Sequence, residues 1–479
     1  MVQRLFLCWL IALGSCALSG QTAGQALTRF VDDPALRGAL IGVHVVEAGS
    51  GTTVLSHQPD LALIPASTQK LLTTAVALDV LGPDHRFVTR LLAVGEVRDG
   101  TLHGDLYLVG GGDPSLGSPY LDGVPRLQAL LDRWREAVGR AGIRHVTGRI
   151  IGDGSYFGTD GAASEWPWSD LGNYYGAGAY GLNLHENFYF LDLIQRSRVG
   201  SRPVIRGARP RVPGLNIENE ARVGPKGSGD QAYIYGAPYG GEYHLRGTIP
   251  PGSGTFTIKG SIPDPALFAA QQLEAELTEN GITLQLPAET HRHLGGGALL
   301  DGTVLDEYYS PPLRTLIERT NLRSNNLYAE ALLREINKHR AGQVQTLSST
   351  ENVVQWLRDR ALDVENVQLL DGSGLATRNF FSPRFMTSFL RTQAGNDAFV
   401  QTIPLSGRSG SMRSFLRGRN AAGRVYAKSG SLNAARCYAG YVDHPDGRRL
   451  AFAIMVNNYT LNSRALRGKM LVLIESLLR

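Results

Sequence analysis

The stretch Ile64-Pro65-Ala66-Ser67-Thr68-Gln69-Lys70-Leu71-Leu72 carries the decisive pattern of this 479-residue chain. From Lys70 onward, Leu71, Leu72, Ala75, Val76, Leu78 and Val80 form an apolar stripe that stops at Gly82-Pro83. That spacing predicts a helix with Ser67 near its N-terminus. Unpaired N–H groups and the helix dipole there favour developing negative charge. Ser67 or Thr68 acting only as an N-cap fits the same pattern, and both roles can hold together. A serine three residues before a lysine stacks hydroxyl over amine on one helix face.

Lysine is scarce in this chain: six of 48 basic residues, of which Lys70 alone has a serine three positions before it. Arginine carries generic positive charge equally well, so a lysine kept at a special place suggests chemistry that needs a titratable amine. A serine hydroxyl is a weak nucleophile until a base takes its proton, and a desolvated lysine can be that base. Burial and a nearby Lys428 are the expected causes of a lowered Lys70 pKa. Genome composition explains an arginine excess just as well, and S-x-x-K alone arises by chance in most long chains. The motif therefore needs support from elsewhere.

Outward from it, the N-terminus is set apart. Arg4 opens a positive region, Leu5 to Leu18 is apolar, and Ala17-Leu18-Ser19 offers a cleavage site. Residues 1–25 read as a secretory signal, too short to span a bilayer. Leu13-Gly14-Ser15-Cys16 also resembles a lipoprotein signal that would leave Cys16 lipidated, the one route to a membrane. Both routes export the chain. Cys8 and Cys16 fall in the signal, leaving Cys437, so neither a disulfide framework nor a cysteine zinc cluster is expected. Cys437 sits in Ala-Ala-Arg-Cys-Tyr-Ala-Gly-Tyr, which reads as a buried strand with the thiol as filler.

About 455 mature residues exceed one ordinary core, so two or three domains are expected. The formal net charge of +5 comes without a basic block or aromatic-basic interleaving, which argues against a nucleic-acid partner. Leu40 to Val54 alternates around Glu47-Ala48-Gly49-Ser50-Gly51, a hairpin signal. From residue 86 to 268 short strand-like runs alternate with glycine-, proline- and serine-rich loops, an expected β-rich insertion of two nested domains. Gly110-Gly111-Gly112-Asp113-Pro114 within it is a turn cluster, not a dinucleotide fingerprint. Helical periodicity returns at Leu267 to Gly281 and dominates Pro312 to Lys338. A late hairpin runs from Arg436 to Val442, through His444-Pro445-Asp446-Gly447, to Leu450 to Val456. The helix Ser463 to Leu478 could be an amphipathic anchor, though packing against that hairpin fits it better. The expected α/β (α+β) fold is an antiparallel sheet of N- and C-terminal segments covered by helices, formed by 26–85 and 269–479.

Two further motifs complete a site. Ser324-Asn325-Asn326 reads as a loop between helices, supplying a hydroxyl that relays a proton and an Asn326 amide that holds substrate backbone. Lys428-Ser429-Gly430-Ser431 begins the C-terminal strands. Its amine and hydroxyls suit a substrate ending in carboxylate, and Gly430 lets the substrate approach closely. S-x-x-K, S-x-N and K-[ST]-G in this order occur together in penicillin-binding proteins and class A β-lactamases. Each is weak alone; the ordered set is strong.

The chain closely resembles class C low-molecular-mass penicillin-binding proteins, the D-alanyl-D-alanine carboxypeptidase/endopeptidase family with large inserted domains. Further matching segments are Gly152-Asp153-Gly154-Ser155-Tyr156-Phe157, Trp166-Pro167-Trp168, Asp371-Gly372-Ser373-Gly374-Leu375 and Pro404-Leu405-Ser406-Gly407. The 257-residue separation of Ser67 and Ser324 fits as well, since the family carries its extra domains there. Ser429 and Ser431 stand where threonine is commoner; each keeps a hydroxyl and loses a methyl.

The resemblance implies a penicillin-binding-protein/serine β-lactamase-like transpeptidase domain and a periplasmic serine peptidase acting on peptidoglycan stem peptides. Ser67 would attack the penultimate D-Ala carbonyl, with Lys70 as base and the backbone N–H groups of Ser67 and Ser431 as oxyanion hole. Ser324 and Lys428 would deliver protons, and β-lactams would acylate Ser67. No metal or cofactor is implied, and His291 and His293 read as solvent-facing loop residues rather than ligands. A homo-oligomer is compatible with the pattern. In such a family Asp153 would offer a carboxylate to a diaminopimelate ammonium; an Asp-Gly turn before Ser155 is the plain alternative. A serine β-lactamase is disfavoured by the long insertion, and an esterase of this fold by Ser-Asn-Asn in place of a tyrosine motif. No G-x-S-x-G elbow occurs. A catalytically silent wall-binding module would have lost Ser67 or a lysine.

Overall fold

The computed structural model describes residues 22–295, 301–340, 346–419 and 421–479. The run Leu450 to Val456 shows why its central sheet forms. Leu450, Phe452, Ile454 and Val456 enter one apolar cluster, while Ala451, Ala453 and Met455 enter another. A strand buried on both faces is apolar without interruption, as this one is. It lies at the centre of a five-stranded antiparallel sheet in the order Val425–Leu432, Ala435–Asp443, Arg449–Asn457, Leu40–Glu47, Thr53–His57. Leu40 lies opposite Asn457 and Glu47 opposite Leu450, so the two ends of the chain close on each other as expected.

Helices cover both faces. On one, Ala23–Val31 and Ser463–Ser476 pack Ala26, Phe30, Leu466, Met470, Leu473 and Ile474 onto the sheet. The apolar stripe of the last helix is therefore core, and no helix among the described residues is long and apolar enough to cross a membrane. The first helix begins at Ala23, capped by Thr22, inside the 1–25 segment expected to be signal. Cys16 and Ala17-Leu18-Ser19 lie outside the described residues. On the other face sit Lys70–Leu81, Asn326–His339, Glu351–Asp359 and Pro383–Gln393. Every residue from Lys70 to Leu78 is buried, so the Lys70 helix is enclosed on all sides.

The material after Leu81 folds around a second sheet. Val88–Arg98 pairs with Thr101–Val109 on one side and with Thr303–Tyr309 on the other, Val88 facing Tyr309. That pairing carries the sheet well past residue 268, where the insertion was expected to end. The helix Pro265–Glu279 does not return the chain to the first sheet. It packs Phe268, Leu273 and Leu277 with Trp134 and Val138 of the helix Leu127–Arg140 over the second. A sheet face needs a covering layer, which is why helical periodicity appears inside the insertion. The helix Leu127–Arg140 was not anticipated, although Leu130, Leu131, Trp134, Ala137 and Val138 mark its buried stripe. Two small sheets, built from strands between Phe188 and Ser261, are nested within this unit.

If the terminal helix is core, truncating Leu473, 1% exposed, should be costly. Leu473→Ala should destabilise the protein by about 2–5 kcal/mol in urea unfolding. A cost near zero would return the helix to a peripheral role.

Candidate active site

Ser67 lies on a 3-10 turn, Ala66–Gln69, that leads directly into the helix Lys70–Leu81. Ala66 has φ +48, a conformation uncommon outside glycine, and it is fully buried. Backbone strain of this kind persists only where the surroundings over-determine it. Two glycines do so. A Cβ on Gly374 would lie 2.1 Å from the Ala66 carbonyl oxygen, and one on Gly430 would lie 2.5 Å from that of Pro65 and 3.0 Å from the Ser67 nitrogen. The Ser67 turn is pressed between the Gly374 loop and the Gly430 strand. Gly430 was expected to admit the substrate; what it admits in the structure is the Ser67 turn itself. Neither Ser67 nor Thr68 caps the helix, and the Thr68 hydroxyl instead donates to the Pro65 carbonyl at 2.7 Å.

Lys70 is fully buried, and its amine holds three oxygens: Ser67 Oγ at 3.0 Å, Asn326 Oδ1 at 2.6 Å and the Ser373 carbonyl at 2.7 Å. Burial lowers its pKa to about 8, against the opposing charges of Asp371 and Glu330. Lys428, also buried, donates to Ser324 Oγ at 2.8 Å and to the Ser429 carbonyl at 2.9 Å. Its pKa falls well below the usual lysine range, through burial first and the Lys70 charge second. The coupling expected at Lys70 thus shows itself at Lys428.

Ser324 ends the helix Leu313–Arg323 in the left-handed region, φ +57, and Asn325 caps the next helix. Asn326 bridges two segments: its Oδ1 takes the Lys70 amine and its Nδ2 donates to the Tyr175 carbonyl at 2.7 Å. In this arrangement the amide positions Lys70. Ser429 donates to Ser411 at 3.0 Å, and the Arg436 guanidinium reaches Ser431 Oγ at 3.3 Å, adding a second cation at that end.

The structure thus brings together Ser67, Lys70, Ser324, Asn326 and Lys428, with the Ser429-Gly430-Ser431 strand alongside. It does not bring Asp153 to them. Asp153 is buried at the end of the strand Ile150–Asp153, and its Oδ1 accepts the Ser155 N–H at 2.8 Å. Its Oδ1 sets the turn, while its buried Oδ2 has no hydrogen-bond partner among the described residues. His291 corrects another expectation: it is buried, edge-on to Tyr107, whereas exposed His293 pairs with Glu289 at 2.7 Å. No group of candidate metal ligands occurs among the described residues. Cys437 is buried as expected, its thiol pushed up to about 12 by burial.

Three acidic residues support the site without having been singled out for it. Asp371 accepts Trp166 Nε1 at 2.9 Å, the N–H groups of Gly374, Leu375 and Ala376 at 2.8 Å each, and Gln69 Nε2 at 3.1 Å. It folds the Ser373 loop and ties it to the Ser67 turn. Glu330 accepts the Gly372 N–H, and burial, with the Asp371 charge, raises its pKa to about 7. Glu186 holds the Ser324 loop, accepting Asn325 Nδ2 at 3.0 Å. It also takes Ser118 Oγ at 2.6 Å and Arg319 at 3.2 Å. It sits in a run of three left-handed residues, His185, Glu186 and Asn187, with φ of 58°, 53° and 51°. Trp166 and Asp371 lay in segments the resemblance had marked; nothing in the sequence marks Glu186, 139 residues from the asparagine it holds.

Known proteins share this arrangement of the chain. A D-alanyl-D-alanine carboxypeptidase of Actinomadura sp. is 29% identical, over 94% of this chain and 84% of its own length. The D-alanyl-D-alanine carboxypeptidase DacB of Haemophilus influenzae is 23% identical, over 91% and 89%. The crystal structure of penicillin binding protein 4 from Haemophilus influenzae has the same fold, with a TM-score of 0.79 at 23% identity, covering 92% of this chain and 97% of that one. Residues 23–477 match the D-Ala-D-Ala carboxypeptidase 3 (S13) family, and the chain belongs to it.

Proposed function

We propose that this chain is a serine-type D-alanyl-D-alanine carboxypeptidase of bacterial peptidoglycan that works through a Ser67 acyl-enzyme. The observation that carries the reading is the buried Lys70 amine, 3.0 Å from Ser67 Oγ. Neutral Lys70 takes the hydroxyl proton as Ser67 attacks the penultimate D-Ala carbonyl. The N–H groups of Ser67 and Ser431 receive the oxyanion, each such donor being worth about 2.7–4 kcal/mol. The Ser324 hydroxyl gives its proton to the departing nitrogen, and Lys428, 2.8 Å away, restores it. Lys428 and the hydroxyls of Ser429 and Ser431 take the terminal carboxylate. The proton held on Lys70 then passes to Lys428, replacing the one given up, and neutral Lys70 activates the water that releases the shortened peptide and returns a proton to Ser67. A β-lactam enters the same path and stalls as the acyl-enzyme. Cleavage of a D-alanyl cross-link is the same reaction with a larger leaving group, and a cavity beside Ser324 favours this second activity. An exported, cell-wall location suits both.

Fluorescent penicillin should label the protein covalently, and mass mapping should place the adduct on Ser67. Intact protein that stays unlabelled at high drug concentration would remove the central claim. Lys70→Arg keeps the charge but cannot deprotonate, so acylation should fall by about 10²–10⁴-fold with the fold retained. Near wild-type acylation would put the base elsewhere.

The pH dependence follows with its sign. The neutral amine is the active form, and its fraction grows as pH rises through about 8. Acylation should climb about tenfold per pH unit below that value and level off above it. A rate independent of pH between 6 and 8 would contradict Lys70 as the base.

A further inference from the structure

The geometry points to a second subsite, on the leaving-group side of the scissile bond, built to hold a carboxylate-bearing peptide arm; this rests on the acyl-enzyme reading above. Ser324 must hand its proton to the leaving nitrogen, so the departing half of the substrate lies over Ser324. A single D-Ala ends there. Past Ser324 and Asn325, however, a cavity of about 540 Å³ opens between the helix Leu313–Arg323 and the strands Phe188–Ile194 and Thr255–Ser261. It is far larger than one alanine needs, and it is continuous with the catalytic loop through Ser324, Asn325 and Asn326.

The lining chooses the ligand. Tyr120, Tyr174 and Phe188 form aromatic walls, and Lys259, Arg319 and Arg323 supply three cations. Glu186, the acid in the lining, is already taken by Arg319 at 3.2 Å and by Asn325. That leaves Lys259 and Arg323, and no carboxylate among the described residues pairs with either. The Lys259 amine is instead framed by four rings: Tyr120 at 4.6 Å, Tyr174 and Phe188 at 5.1 Å, and Phe190 at 5.7 Å. Rings stabilise a cation without consuming its N–H donors. An amine held this way keeps a fixed place and presents its donors to the cavity. An anionic peptide arm that stacks on tyrosine and carries free carboxylates meets all of these groups. The departing strand of a cross-linked stem peptide has that chemistry; a lone D-Ala, whose carboxylate is held at Ser429 and Ser431, does not reach them.

The test compares two leaving groups on one enzyme. Substrates are a monomeric peptide that releases D-Ala and a synthetic cross-linked dimer whose departing arm carries two free carboxylates. Lys259→Met and Arg323→Ala should each lower kcat/KM on the dimer about tenfold, as expected for loss of one charge-assisted contact. D-Ala release and penicillin labelling of Ser67 should stay within about twofold of wild type. Lys259→Arg should restore most of the dimer activity. Amidating the dimer's departing-arm carboxylates should lower wild-type turnover and erase the effect of Lys259→Met. Equal loss on both substrates, or an undiminished rate on the dimer, would overturn the subsite. If Ser67 itself never labels, the underlying acyl-enzyme reading fails instead, so the two failures are separable.

Discussion

One buried amine ties the catalytic unit together. Lys70 Nζ holds oxygens from three segments, Ser67 in its own turn, Asn326 beyond the insertion and Ser373 in a later loop. Charge in a buried place is costly unless it is hydrogen-bonded, so each of the three contacts constrains the others. The same burial brings the amine's pKa down to about 8, into the range where it can exchange a proton near neutrality. The burial that makes these contacts necessary is also what lowers the pKa.

A second layer keeps that arrangement in register. The Asp371 carboxylate gathers backbone N–H groups and the Trp166 indole, fixing the loop whose Ser373 carbonyl faces Lys70. Gly374 and Gly430 let the Ser373 loop and the Lys428 strand close on the Ser67 turn from two sides. Strain at Ala66 is the consequence of that closure, and it fixes where the Ser67 hydroxyl sits.

The insertion reaches the site rather than standing apart from it. Tyr175 accepts from Asn326, Trp166 donates to Asp371, and Glu186 holds the Ser324 loop. Three residues from one inserted region therefore support three different catalytic segments. Side chains placed this way serve to pre-organise the reacting groups, which is where enzymes gain most from electrostatics. The insertion also supplies the cavity wall that faces the Leu313–Arg323 helix.

Much of this was legible in the chain alone. The S-x-x-K, S-x-N and K-S-G order singled out Ser67, Lys70, Ser324, Asn326 and Lys428, which the closed chain brings into contact. The Leu450 to Val456 run and the two hairpins foretold the closing sheet, because two-sided burial leaves an unbroken apolar signature. Long-range geometry decided the rest. Residue 268 looked like a boundary because periodicity changes there, yet Thr303–Tyr309 pairs back to Val88–Arg98, a contact no local pattern encodes. Asp153 proves buried, with one carboxylate oxygen on the Ser155 N–H, and His291, expected in solvent, is buried beside Tyr107. Glu186 and Lys259 have no motif at all, because their meaning comes from partners more than 50 residues away. Local chemistry is written in short spacings; who faces whom across a cleft exists only once the chain has closed.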